Sequence, residues 1–163
     1  MSDSTADQRA PSILGVSEIV LSVADLPVMR QFYVEVLGFP VLQEISMETE
    51  TAVPGGEPTI SFLRLRECDT PLGRHLHPQM LVLIDYQRHV YARERFTGHD
   101  VGKSTLNHLA FEISPEDYGL HSNRLSELGV SIRFAEFPDL SARAIFFNDP
   151  EGNVLELICH QSG

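Results

Sequence analysis

The chain has 163 residues, 42% of them hydrophobic, and a formal net charge of -11. That apolar content supports one good core without crosslinks, while the acidic balance repels phosphate backbones and argues against nucleic acid as a partner. No apolar run exceeds strand length, which excludes a membrane-spanning helix. Two cysteines, Cys68 and Cys159, with no signal-like apolar start, point to a reducing, cytoplasmic setting with free thiols.

Residues 1–12 begin MSDSTADQRA, small and polar, and are expected to form a disordered tail. In SEIVLSV, residues 17–23, Ile19, Leu21 and Val23 alternate with Glu18, Val20 and Ser22, the period of a strand with one buried face. Asp25 then caps a helix with Pro27 in its first turn; Val28, Phe32, Val36 and Leu37 form its stripe and Gly38 its stop. Three strands follow: PVLQEI (40–45), TISFLRL (59–65) and QMLVLID (79–85).

Residues 85–106 are polar and form a connection with room for a short helix. NHLAFEI, residues 107–113, repeats the first strand with His108 where Glu18 stood, and SPED, Ser114 to Asp117, supplies a capping box for a second helix ending at Gly129. VSIRFAE (130–136), ARAIFF (142–147) and NVLELIC (153–159) complete a second βαβββ series, with NDPEGN (148–153) as the tight reversal before the last strand. Glu18 and His108 are 90 residues apart, and the helix-ending Leu-Gly pairs at 37 and 128 are 91 apart, so the chain writes one unit twice.

Two βαβββ units, an H-x-A-F-x-I strand before a capped helix ending in Leu-Gly, and the DPEGNVLEL ending resemble the vicinal oxygen chelate superfamily. That group includes glyoxalase I, extradiol dioxygenases, and bleomycin and fosfomycin resistance proteins. The resemblance covers about residues 13–160 and rests most on DPEGNVLEL. It implies an α+β fold in which two modules, 13–86 and 106–160 joined by 87–105, form a curved, barrel-like mixed-sheet cleft. It also implies a divalent metal, a small-molecule substrate or ligand, and a homodimer.

Strand parity locates candidate side chains. In the last strand Leu155, Leu157 and Cys159 face one way and Val154, Glu156 and Ile158 the other, leaving Glu156 as a carboxylate on an apolar face. His108 and Glu18 stand opposite the apolar triplets of their own strands. If a pseudo-twofold axis brings these faces together, one imidazole and two carboxylates suit Mn²⁺, Fe²⁺, Ni²⁺ or Zn²⁺, since two desolvated carboxylates demand a cation. The resemblance places metal residues at the heads of the first strands and in the last strand of each module, here Glu18, Val82, His108 and Glu156. Glyoxalase I has four such ligands, so Val82 argues against that activity; extradiol dioxygenases use three, with His where this chain has Glu18.

Phe62, Arg64 and Arg66 share one parity, with Arg64 the candidate for holding a substrate carboxylate or enolate, and Tyr86 shares the parity of Val82. His75 and His77 read as loop residues and His121 as a packing residue of the second helix. Two functions follow. One is a metal-dependent lyase, isomerase or dioxygenase with Glu18, His108 and Glu156 as ligands and Glu18 also moving a proton. The other is a metal-free binding protein of the antibiotic-sequestering kind, which the absent ligand at Val82 and the glutamate at position 18 favour.

Overall fold

The structure, a computed structural model, describes residues 15–65, 78–93 and 100–160. The expected tail and Arg66, Cys68, His75 and His77 lie outside those residues. Strand β1 (Glu18–Val23) leads into α1 (Leu26–Gln31), where the Asp25 carboxylate accepts from the Val28 amide at 3.0 Å. The helix widens into one π-helical turn, Phe32–Val36, and stops at Gly38, whose φ of 77° lies in the left-handed region. Strands β2 (Val41–Ile45), β3 (Ile60–Arg64) and β4 (Met80–Asp85) complete the first module.

The second module runs β5 (Leu109–Glu112), α2 (Tyr118–Glu127), β6 (Arg133–Phe137), β7 (Ala142–Asn148) and β8 (Val154–His160). Its helix starts later than the capping box suggests. Ser114 Oγ and its carbonyl both accept from the Asp117 amide, closing a separate turn, and Asp117 becomes the N-cap without a side-chain bond of its own. Among the described residues the connection between modules contains a 3₁₀ turn at Val101–Lys103, capped by Asp100.

Each module builds a four-stranded mixed sheet, β1-β4-β3-β2 and β5-β8-β7-β6, in which the first strand is an edge pairing parallel with the fourth. Among the described residues the two ladders are separate, and β1 and β5 are each the edge strand of their sheet. One parity of each sheet turns toward a common core. Leu21, Val23, Leu63, Leu81 and Leu83 join Leu26, Met29 and Tyr33 of the first helix, and the same cluster takes in Leu109, Leu125, Ile145, Phe147, Leu155 and Leu157. Aromatic contacts cross the module boundary, Phe32 to Phe147 at 6.4 Å and Phe39 edge-on to Phe111 at 5.3 Å. Burying this parity on both sides leaves the opposite face of each sheet to carry any site.

The NDPEGN turn also ties the modules. Buried Asp149 accepts from the Tyr33 hydroxyl at 2.9 Å, from the Asn153 side-chain amide at 2.8 Å, and from the Glu151 and Asn153 backbone amides. Glu151 reaches back to accept from the Ala24 and Asp25 amides at 2.7 and 2.9 Å. Burial, followed by the neighbouring Asp149 carboxylate, raises the Tyr33 phenol well above its ordinary pKa, so it stays a donor. The most distinctive stretch of the sequence is therefore a structural clasp.

Candidate functional site

On the outward face of the second sheet, register aligns Ala110, Glu156, Phe146 and Arg133 across β5, β8, β7 and β6. Glu156 is only 4% exposed, and His108, one residue before β5, places Nε2 3.1 Å from Glu156 Oε2. The other imidazole nitrogen is engaged: Nδ1 lies 2.7 Å from Asn107 Oδ1, which accepts in the tautomer that carries the proton on Nδ1. A neutral ring then aims its Nε2 lone pair at a carboxylate oxygen. In that tautomer a cation between the two acceptors reconciles them, whereas the tautomer with the proton on Nε2 donates to Glu156 directly. Phe146 stands edge-on to His108 at 5.9 Å, and the Arg133 guanidinium lies 5.9 Å from the centre of the same ring.

The first sheet repeats this row as Val20, Val82, Phe62 and Gln43. Phe62 occupies the place of Phe146, and fully buried Val82 the place of Glu156. Glu18 is exposed at the head of β1, opposite Met80, and Arg64 lies beyond Met80 on β3. Both line an open cleft of about 1110 Å³ between the β1 and β5 edges, walled by Phe39, Pro40, Ala110 and Glu112. His108 and Glu156 are not among its lining residues. Among the described residues no three His, Cys, Asp or Glu side chains stand together as a ligand set. One chain thus brings His108 and Glu156 together and does not add Glu18 to them.

Tyr86 follows β4, half-buried, its amide donating to the Val23 carbonyl at 3.2 Å. His121 lines the same inter-module cleft, its pKa lowered chiefly by burial, and Cys159 is fully buried and free. Among the described residues no helix is long and apolar enough to cross a membrane. Sequence reasoning did not single out Asn107, Phe146 or Arg133. The alternation of SIRFAEF and ARAIFF held the signal, but only the register of β6 and β7 shows that Arg133 and Phe146 share the face of Glu156.

The sequence profile of the Glyoxalase/Bleomycin resistance protein/Dioxygenase superfamily matches residues 15–157. The chain belongs to this superfamily. Similar solved structures share its fold: a glyoxylase/bleomycin resistance protein/dioxygenase domain from Frankia sp. EAN1pec has a TM-score of 0.66 at 22% identity, covering 93% of this chain and 96% of that one. The fosfomycin resistance protein FosX from Listeria monocytogenes gives 0.62 at 18% identity over 92% and 96% of the two chains, and a mutant of it is known complexed with Mn(II) and 1S,2S-dihydroxypropylphosphonic acid. TnmS3, an antibiotic binding protein from Streptomyces sp. CB03234, gives 0.58 at 22% identity over 93% and 100%. No curated protein matches the chain. Solved structures similar to this chain thus include an antibiotic binding protein and a resistance protein known complexed with Mn(II).

Proposed function

We propose that this superfamily member binds a divalent metal through His108 and Glu156 and acts on a small oxygenated molecule on the outward face of its second sheet. The observation that carries this reading is the His108–Glu156 pair: a carboxylate that is 4% exposed, facing an imidazole whose other nitrogen is already bonded to Asn107. The donor set suits Mn²⁺, Fe²⁺, Ni²⁺ or Zn²⁺, being mixed imidazole and carboxylate. A metal held there would supply Lewis acidity to paired oxygens of a substrate. Asn107 holds the ring orientation, and Phe146 walls off water from one side.

Two protein donors are few for such an ion, and the third in this reading is Glu18 from a second copy of the chain. Among the described residues both β1 and β5 are open edges, and Val20, beside Glu18 on the same face, is 48% exposed. An apolar residue on an unpaired edge is a surface that a partner edge covers. Docking β1 of one copy along β5 of the other carries Glu18 toward the partner's pair and gives a homodimer with two equivalent sites. Glu18, exposed and carboxylate-bearing, is then placed to move a proton on the bound molecule.

The test is complementation. Glu18→Ala and Glu156→Ala homodimers should each lose metal, and mixing them after partial denaturation should restore about one quarter of the wild-type content, one intact site in each mixed dimer. No recovery while the mixed dimers form would remove Glu18 from the ligand set. A second reading has its own support. A protonated His108 satisfies Glu156 without metal, and Val82 leaves the first module with no donor at the matching place, as suits a metal-free ligand-binding protein.

A further inference from the structure

The row that holds Glu156 ends at a cation with no assigned task. Arg133 is exposed on the edge strand β6, and among the described residues it contacts no carboxylate, only the ring of Phe146. Arg30 by contrast pairs with Glu44 at 2.7 Å, Arg88 with Glu48 and Glu57, and Arg124 with backbone carbonyls of the first helix. A chain of net charge -11 with Glu112 and Glu156 on this same face sets up a field that repels anions. A guanidinium held over an aromatic ring with its donor fork open to solvent is the local exception.

We propose that Arg133 is a specificity-determining residue that binds a carboxylate or similar anionic group of the ligand, whose apolar, planar body lies against Phe146. Two strand spacings separate Arg133 from Glu156, about 10 Å between backbones. That span accommodates a single ring with the anion at one end and the atoms approaching His108 and Glu156 at the other. This assignment rests on the proposed site for its location, but its anion chemistry stands on Arg133 and Phe146 alone. Bidentate geometry predicts a dependence on the planar fork and not on charge alone.

Ligand-observed fluorine NMR on the full-length protein tests it, using para-fluorobenzoate and its uncharged counterpart para-fluorobenzyl alcohol. The carboxylate should bind about tenfold tighter than the alcohol, as one charge-assisted contact warrants. The difference should vanish in Arg133→Gln, shrink in Arg133→Lys, and survive in Arg93→Gln, a control at an exposed arginine far along the connection. Equal binding of the two probes by the wild type, or discrimination that persists in Arg133→Gln, overturns the assignment. Adding Mn(II) separates the two readings: faster fluorine relaxation of bound benzoate joins the anion and metal sites on one face of the second sheet. Arg133-dependent discrimination with no Mn(II) uptake upholds the anion assignment and removes the metal.

Discussion

The two modules use one plan for different ends. Across the outward face of the first sheet stand Val20, Val82, Phe62 and Gln43, and across the second Ala110, Glu156, Phe146 and Arg133. The phenylalanine is common, while the charged side chains belong to the second row. Glu156 is tolerated under almost complete burial because His108 meets it, whereas Val82 sits where the neighbouring strands offer only Val20 and Phe62. A duplicated fold thus keeps its core parity, Leu81 and Leu83 answering Leu155 and Leu157, and diverges on the face the core does not need.

Transplanting the difference is the severest way to break that comparison. Val82→Glu places a carboxylate at a fully buried position with no imidazole beside it, and should cost about 3 kcal/mol or more in urea unfolding, as an uncompensated buried charge does. A loss under about 1 kcal/mol would mean that this face of the first module is as ready for charge as the second. The clasp between modules is the next largest effect. Tyr33→Phe removes one donor from buried Asp149 and should cost about 1–2 kcal/mol, read from the same unfolding curves.

The smallest effect concerns the first module's exit turn. His89 is 4% exposed, its Nδ1 accepts from the Tyr91 amide at 3.2 Å, and burial lowers its pKa although Asp85 opposes the shift. A lowered folded pKa means that the unfolded chain binds the proton more readily. His89 therefore contributes stability that is full above its unfolded pKa and is lost as pH falls below about 6.5. Denaturation midpoints should drop between about pH 7.5 and pH 5.5, and the drop should be smaller in His89→Gln. An unchanged drop would assign the acid sensitivity to other groups.

Local signals in the sequence carried the architecture. Alternation in SEIVLSV and NHLAFEI, the Asp25 cap, the glycine stops at Gly38 and Gly129, and the NDPEGN reversal each rest on contacts within a few residues, and each has its element in the structure. The second helix cap was less legible because Ser114 and Asp117 satisfy one another in a turn of their own. Half of the candidate site was legible for the same reason: parity alone puts Glu156 opposite Leu155 and Leu157. The same parity singles out His108, but not Phe146 and Arg133, since they join Glu156 through strand register, which no single strand's pattern reveals. Nor does parity say whether two matching faces meet within a chain. That depends on which faces the shared core consumes, and here Phe32, Phe39, Phe111 and Phe147 hold the modules by their buried sides.

The central claim is that the buried Glu156 carboxylate and His108 hold a divalent cation. Its most direct test is the metal content of protein purified without chelator and offered Mn²⁺, Fe²⁺, Ni²⁺ and Zn²⁺ in turn, for the wild type and for Glu156→Ala and His108→Ala. The account predicts about one ion per wild-type chain and its loss from both variants. Stoichiometric metal retained in either variant, or none taken up by the wild type, would contradict it.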